Sequence, residues 1–188
     1  GTILTEPPRI TMSTPPITDE ISIRLAHQDD IPQLNIIETS AAQLFRRVHL
    51  AWIADSPPLD PATLRSMIAQ KNVWAAVTSN NTAVGFIAVQ DLDGMLYIAE
   101  MDVHADWQRR GIARMMLEEV EGQARDRGYE YVSLTTYRDL EFNGRFYARM
   151  GFEEVDVDVA GEGHARELEE QARGGHARDR RCVMRKRV

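Results

Sequence analysis

The feature that most constrains the fold is an amphipathic helix between two apolar strands. Apolar residues recur at helical spacing from Ile112 to Ala124, and Gly128 follows as a helix stop. The segment MLYIAEMDV precedes this helix, YEYVSLTTY follows it, and both are typical of strands. Because a strand, a helix and a strand in this order form a crossover, the two strands are predicted to be parallel neighbours. The helix then begins at the carboxyl edge of the sheet, where open α/β sheets bind ligands.

The segments before this crossover predict three further strands and two helices. ISIRLA alternates with its apolar side chains on one face and predicts a first strand. Helical spacing follows from Ile31 to Phe45, and Asp60 with the next proline predicts the start of a second helix that ends near Gln70. VWAAV and AVGFIAV flank the turn SNNT, which predicts a hairpin that MLYIAEMDV extends. We expect substrate contacts in VHLAWIADSPPL, the loop between the helices.

The segments after the crossover predict a short helix and two more strands. LEFNGRFYARM is typical of a helix that ends at Gly151. FEEVDVDV alternates, with its valines on one face, and predicts a strand. EGHARELEEQARGGHARD predicts a polar loop with no more than a helical turn, and the last strand is expected around CVMRK. The whole order predicts a mixed, twisted α/β sheet.

Composition indicates one soluble domain. The chain has 188 residues, 43% of them hydrophobic, which suits one good-sized core. We expect a single domain over residues 19–188, after a flexible Pro/Thr-rich arm at residues 1–18. The sequence lacks a long apolar run and a signal-peptide layout, so we predict a cytoplasmic protein without membrane contact.

Charge and the metal-ligand residue types exclude other classes. A net charge of −7 argues against nucleic-acid binding, which needs a basic excess. The single cysteine, Cys182, has no disulfide partner and is predicted to be a buried strand thiol in a reducing compartment. No metal is expected, because each histidine lacks a second ligand at metal-binding spacing and is predicted to be a surface or capping residue: His27, His49, His164 and His176.

The N-terminal end of the crossover helix gives the strongest indication of function. In DWQRRGIARMM, a glycine stands among three arginines where the helix dipole favours acidic residues. The first turn of a helix has free N–H groups, and Gly111 with the small Ala113 would let an anion approach them. We expect a pyrophosphate, although neither the Walker motif nor GxGxxG occurs. An ordinary helix start with solvated arginines is the alternative reading of these residues alone.

Two motifs resemble those of the GNAT N-acetyltransferase superfamily. QRRGIA, at residues 108–113 after the strand end MDV, resembles the acetyl-CoA signature Q/R-x-x-G-x-G/A. FNGRFYARMGF, at residues 142–152, resembles a later segment in which an Asn precedes a Tyr by four residues and a Gly-Phe pair follows. Ala113 replaces the second glycine, and the acidic segment 153–170 has no counterpart in the motifs. The resemblance implies a GNAT-type mixed, mostly antiparallel twisted sheet, with a central splayed parallel strand pair flanked by helices.

The resemblance implies an acetyl-CoA-dependent N-acetyltransferase. The acetyl group would move directly to a primary amine acceptor, which is a small molecule, a peptide or a protein lysine, with a small molecule favoured over a protein. A non-catalytic CoA-sensing or interaction module of the same fold is the alternative. Family members often dimerise, so a homodimer is an open alternative as well. The acidic segment 153–170 is either solvated surface or a pocket rim that attracts a cationic amine.

The resemblance also implies which residues bind acetyl-CoA. Backbone N–H groups of QRRGIA would hold the pyrophosphate, the preceding strand would pair with the pantetheine arm, and an N–H near Val103 would polarise the thioester carbonyl. The side chain of Asn143 would bond the pantetheine amides. The residues implied in binding are Met101, Val103, Gln108, Arg109, Arg110, Gly111, Ile112, Ala113, Arg114, Asn143 and Tyr147.

Direct transfer needs a base for the amine and a donor for the departing sulfur. Tyr147 would be that donor, because a phenol with a pKa of about 10 stays protonated at neutral pH. Without the resemblance, the same residue would be interpreted as a packed core aromatic. Glu100 is the predicted general base, directly or through a water, with Asp102, Glu141 and His104 as alternatives.

Overall fold

A seven-stranded sheet with helices on both faces forms the protein. The structure is a computed structural model that describes residues 21–188. The strands are β1 (Ser22–Leu25), β2 (Val73–Val77), β3 (Ala83–Leu92), β4 (Met95–Val103), β5 (Tyr131–Tyr137), β6 (Glu153–Val155) and β7 (Arg181–Arg187). The helices are α1 (Ile31–Ala42), α2 (Ala51–Ala54), α3 (Pro61–Ala69), α4 (Ile112–Asp126), α5 (Gly144–Arg149), α6 (Val157–Ala160) and α7 (Glu162–Arg173). The predicted N-terminal arm, residues 1–18, lies outside the described residues.

The strand order confirms the predicted fold class. The strands lie in the order β1-β2-β3-β4-β5-β7-β6. Each neighbouring pair is antiparallel except β4 and β5, which are parallel and are joined through α4. The crossover that the sequence predicts therefore forms the centre of the sheet, and it brings the start of α4 to the carboxyl end of β4.

Two apolar clusters cover the two faces of the sheet. On one face, Ile112, Met116 and Val120 of α4 are buried against strand side chains. On the other face, Leu34 and Ile37 of α1 are completely buried, together with the α3 residues that pack beside them. Burial of these helix stripes is the main stabilising contribution, at about 25 cal/mol for each Å² of apolar surface removed from water.

The prediction of a polar loop near the C-terminus was wrong, because residues 162–173 form helix α7. His164 and Leu168, one turn apart, face inward and are both buried. The Asp93 carboxylate, in the β3–β4 turn, accepts hydrogen bonds from the N–H groups of Gly163 and His164 at 3.0 and 2.8 Å and so caps the helix. That capping residue is distant in sequence, so local patterns do not indicate it.

The strand predicted over FEEVDVDV is shorter than expected. Strand β6 ends at Val155, and α6 follows directly. The Asp156 carboxylate accepts a hydrogen bond from the Asp158 N–H at 2.9 Å, which favours the start of a helical turn over continued alternation.

The prediction that His164 is a surface or capping residue was also wrong. Its ring is completely buried, with Nε2 2.7 Å from the Ser133 hydroxyl and Nδ1 2.7 Å from the Asp93 carboxylate. These contacts join α7 to β5 and to the β3–β4 turn, and they fix the helix on the sheet. Within residues 21–188, no helix has both the length and the apolar character to cross a bilayer.

Candidate active site

Strands β4 and β5 separate and open a gap in the middle of the sheet. Between them, residues pair only at Leu96 with Val132 and at Tyr97 with Ser133. The register of β4 against β3 also shifts between the partners of Ala88 and Val89, which marks a β-bulge. Because a bulge bends its strand, the carboxyl half of β4 is directed away from β5.

The predicted binding residues on β4 direct their main chains into this gap. The N–H of His104 donates to Val84 O on β3 at 2.8 Å. Since successive strand residues direct their backbone groups to alternate sides, Val103 and Met101 direct theirs away from β3. The carbonyl of Val103 accepts a hydrogen bond from Gln108 Nε2 at 3.1 Å, which ties the end of β4 to the loop before α4.

That loop presents a run of unpaired N–H groups. Arg109 and Gly111 both have left-handed backbone conformations, with φ of 61° and 79°. Within residues 21–188, no backbone N–H from Gln108 to Arg114 donates a hydrogen bond, and the first to do so is that of Met115, to Gly111 O at 3.1 Å. Among the residues that the structure describes, none comes within 4 Å of the position that a Cβ on Gly111 would occupy. Such a turn is suited to bind a phosphate group.

The side chains of this loop have different surroundings. The Arg110 guanidinium lies 4.8 Å from the centre of the Trp107 ring. Ile112 is buried in the core, so only its backbone can contact a ligand. Arg109 and Arg114 are exposed and remain able to meet an anion at the start of the helix.

Asn143 and Tyr147 lie at the other side of the gap. Asn143 immediately precedes α5, and Tyr147 lies within it. Asn143 is the N-cap residue, and its side chain is already engaged: Oδ1 lies 3.4 Å from the Tyr137 N–H, and Nδ2 donates to Phe142 O at 3.0 Å. The sequence suggested that this amide is free to bond a ligand. In the structure, both of its polar atoms already have partners. Tyr147 packs its ring against Phe152 and also lines a cleft.

The cleft has a volume of about 340 Å³ and is next to the gap. Its walls come from α1, from the segment around Pro57-Pro58, from β4 and β5, and from α7 with the start of β7. The segment between α1 and α3 therefore lines the cleft, where we expected substrate contacts. Tyr147, Asn143 and Glu100 all line it, so the structure brings these predicted site residues together.

Three carboxylates form a cluster on the wall made by α1 and β4. One oxygen from each of Glu38, Glu100 and Asp102 lies within 4.8 Å of the others. Oδ2 of Asp102 is buried and has no hydrogen-bond partner within residues 21–188. Both oxygens of Glu38 accept from the Leu59 N–H, at 3.0 and 2.9 Å. The cluster can hold protons or a cationic group.

Glu38 of the carboxylate cluster retains its proton at neutral pH. Burial, and then the negative charge of Glu100, raise the pKa of Glu38 to about 8. Burial also raises the pKa of Glu100 and of Asp102, and the charges of its two neighbours raise that of Asp102 further. Burial, followed by the charges of Asp102 and Glu100, raises the pKa of Tyr147 above its ordinary value. Tyr147 is therefore protonated throughout the physiological range.

Another part of the cleft lining carries a positive charge. Arg181, at the start of β7, lines the cleft, and its guanidinium lies 4.7 Å from the centre of the Tyr137 ring. His176 lies beside it and contacts the Tyr137 hydroxyl through Nδ1. Burial, and then the charge of Arg181, lower the pKa of His176 to about 4, so this histidine is neutral.

Two of the alternative bases lie away from the cluster. Glu141 is exposed and pairs with Arg145 and Arg149. The His104 ring accepts from the Asp106 N–H at 3.2 Å and does not line the cleft. Cys182 is buried, as predicted, and burial raises the pKa of its thiol to about 11.

Sequence reasoning missed Glu38, Gln171, His176 and Arg181. Glu38 had one signal: it lies four residues after Leu34 and belongs to the inward stripe of α1. A carboxylate on a buried helix face is unusual enough to indicate a site. The other three gave no signal, because their segments are polar and only the sheet brings them to the cleft.

Comparison with known proteins identifies the family. Residues 41–152 match the family model described as "Acetyltransferase (GNAT) family", which spans more than half of the chain. The chain belongs to this family. The GNAT enzymes are acetyltransferases that use acetyl-CoA, so the recognition, enzyme class and cosubstrate predicted from the sequence are confirmed.

Solved structures of GNAT proteins share the fold. PaiA N-acetyltransferase from Thermoplasma acidophilum, in complex with coenzyme A, is 17% identical, with a TM-score of 0.66 over 89% of this chain and 99% of that one. The ribosomal-protein-S18-alanine N-acetyltransferase from Escherichia coli is 18% identical, with a TM-score of 0.60 over 89% and 94%. N-acetylglutamate synthase from Neisseria gonorrhoeae, with coenzyme A and N-acetyl-glutamate, is 19% identical, with a TM-score of 0.64 over 89% and 35%.

Proposed function

We propose that this GNAT protein transfers an acetyl group from acetyl-CoA directly to a primary amine of a small molecule. One observation carries the proposal: β4 connects two sites, because N–H groups that are unpaired within residues 21–188 follow its carboxyl end, and Glu100 and Asp102 of the carboxylate cluster lie on the strand itself, with Tyr147 in the adjoining cleft. An anionic cosubstrate fits the first site. A cationic amine fits the second, because a positive charge close to the carboxyl groups favours their ionised form.

The residues for acetyl-CoA binding remain those implied by the sequence. Backbone N–H groups from Gln108 to Ala113 would hold the pyrophosphate, helped by the exposed side chains of Arg109 and Arg114. The main chains of Met101 and Val103 would pair with the pantetheine arm. Acetyl-CoA, when bound there, supplies an activated acyl group to the gap.

The protein's own residues would manage the protons of the reaction. Glu100 accepts a proton from the incoming ammonium, so that the amine becomes a nucleophile. Glu38 and Asp102 keep this proton within the cluster, because three carboxyl groups within 4.8 Å of one another titrate as a coupled set. The hydroxyl of Tyr147 donates its proton to the leaving sulfur as the C–S bond breaks, and the second proton, which the nitrogen loses when the amide forms, restores the hydroxyl.

The shape of the cleft supports a small acceptor. Its volume of about 340 Å³ lies at the low end for small-molecule sites. Residues from α1, from the Pro57-Pro58 segment and from α7 surround it. These walls limit the length of any side chain or ligand that enters.

The test is a panel of primary amines assayed for release of the CoA thiol, with acetyl-CoA in excess. We expect acetylation of at least one small amine, and product mass confirms the position. A protein that binds acetyl-CoA but acetylates no amine would instead be a non-catalytic CoA-binding module.

Gly111→Glu should abolish acetyl-CoA binding. The new carboxylate would repel the pyrophosphate at the unpaired N–H groups. In the parent, acetyl-CoA at a hundredfold excess over its Kd should stabilise the folded state by about 2.7 kcal/mol, measured as a rise in Tm. The variant should show no such rise.

Gly111→Gln is the matched control, because it places a neutral side chain of the same size at the same left-handed backbone position. It carries the same backbone strain, and it should retain part of the Tm rise. A full rise in the Gly111→Glu variant would show that the phosphates bind elsewhere.

A further inference from the structure

The positive wall of the cleft is built around one fixed guanidinium. Arg181 Nε donates to Gln171 Oε1 at 2.9 Å, and Gln171 Nε2 donates to Thr135 Oγ1 at 2.9 Å. The Thr135 hydroxyl lies 2.8 Å from the Tyr97 hydroxyl. The guanidinium carbon of Arg181 also lies 4.7 Å from the centre of the Tyr137 ring. Together these contacts hold the Arg181 side chain in one orientation.

In the described part of the chain, this guanidinium has no carboxylate partner. Within residues 21–188, every carboxylate lies more than 4.0 Å from its nitrogens, whereas the neighbouring Arg180 pairs with Asp139 at 3.2 Å. Burial lowers the pKa of Arg181, so the environment disfavours its charge. A partly buried cation that lines a cleft and lacks a counter-charge is suited to bind an anionic group of a ligand.

The acidic cluster and the basic Arg181 line the same cleft. Burial raises the pKa of Glu100, and the charge of Arg181 lowers it by a smaller amount, so the two groups interact. An ammonium is favoured near the cluster and disfavoured near Arg181. A diamine or polyamine short enough to fit would bring its second ammonium toward the guanidinium.

We propose that the acceptor is a zwitterionic amine of the amino-acid class, whose carboxylate pairs with Arg181 while its amine lies at the cluster of Glu38, Glu100 and Asp102. The proposal rests on the acetyltransferase function above and specifies its substrate. Arg181 is then a specificity-determining residue. Its planar fork matches a carboxylate, which lysine cannot reproduce.

The experiment compares matched acceptors that differ in one carboxylate. The pairs are L-phenylalanine with phenethylamine and L-lysine with cadaverine, assayed at saturating acetyl-CoA. Three amino acids whose amine and carboxylate lie farther apart, β-alanine, 4-aminobutyrate and 6-aminohexanoate, test the separation of the two groups. We expect the α-carboxylate-bearing member of at least one pair to have a kcat/KM at least about tenfold higher.

Substitution of the arginine tests the residue itself. Arg181→Met should lower kcat/KM for the preferred amino acid by about 10- to 100-fold, mainly through KM, because charged hydrogen bonds are lost. The carboxylate-free partner should lose much less, because it has no carboxylate for the guanidinium to pair with. Arg181→Lys should recover only part of the loss. Arg185→Met is the control, since that guanidinium stacks on Tyr131 outside the cleft.

The outcomes separate this proposal from the function on which it rests. If the parent acetylates amines but prefers cadaverine or phenethylamine, and Arg181→Met changes nothing, the zwitterion proposal is wrong and the acetyltransferase stands. If no amine of either kind is acetylated, both fail. An unchanged Tm in Arg181→Met and Arg181→Lys shows that the kinetic loss is not a loss of folding.

Discussion

Tyr147→Phe is expected to lower kcat and kcat/KM together by about 10²–10⁴-fold, the usual contribution of a general acid. The ring stays packed against Phe152, so the fold and the affinity for acetyl-CoA should change little. Only the hydroxyl is lost, and its interaction with sulfur strengthens as negative charge develops. Single-turnover measurements would separate the transfer step from product release.

The hydroxyl of Tyr147 is suited to this role because of its neighbours. Its pKa is raised by burial and by the charges of Asp102 and Glu100, so the proton is present at every pH at which the enzyme would work. The acid limb of the pH profile should therefore not report Tyr147. Water entry into the cleft would reduce the observed loss.

Tyr129→Phe is the matched control. Tyr129 donates to the exposed Asp91 carboxylate at 2.8 Å, away from the gap, so its loss should leave kcat unchanged. A Tyr147→Phe variant as active as the parent would show that the residue is a packed aromatic and no more.

Glu100→Gln is expected to lower kcat by about 10²–10⁴-fold at neutral pH while acetyl-CoA affinity holds. The amide cannot accept the proton of the ammonium, so the acid limb of the pH profile should flatten. In the parent, the rise of kcat with pH should continue toward pH 8, because Glu38 of the cluster, with a pKa of about 8, loses its proton only near that pH.

Stability gives a second readout of the same cluster. The pKa of Glu38 is raised from its ordinary 4.5 to about 8 in the folded state, so between these values the folded state binds more protons than the unfolded state. Its stability therefore falls as pH rises from about 4.5 to about 8. Glu100→Gln removes one cause of this raised pKa and should weaken the fall, measured by Tm against pH.

Glu141→Gln is the control for both measurements, because Glu141 is exposed and paired with Arg145 and Arg149. It should leave the pH profile unchanged. An intact acid limb in Glu100→Gln would transfer the role of base to Asp102 or Glu38, the other members of the cluster.

The sequence by itself determined the centre of the fold. The crossover from β4 through α4 to β5 was readable because each element carries its own apolar period, and periodicity is a local property. The anion site at Gly111 could be predicted for a similar reason, because a glycine among arginines at a helix start lets an anion approach the free backbone N–H groups. The positions of Tyr147 and Asn143 followed from a second local motif.

Only the tertiary structure decided how the cleft is built. Helix α7 was missed because its cap, Asp93, lies far away in the chain, and because only three of its residues are buried: Gly163, His164 and Leu168. With α7 misread, Gln171 could not be placed in the cleft beside Arg181. Pairings between distant segments have no local signature, because they depend on which faces the sheet brings together.

The same reason governs the charges of the site. The sequence shows that Glu38, Glu100 and Asp102 are acidic, and Glu100 was nominated because the GNAT resemblance places its strand beside the gap. It does not show that the three carboxyl groups lie within 4.8 Å of one another, or that burial raises their pKa values. Protonation in a folded protein depends on desolvation and neighbouring charge. The sequence therefore shows which residues are acidic or basic, whereas the pKa values and charges of the cleft depend on the folded structure.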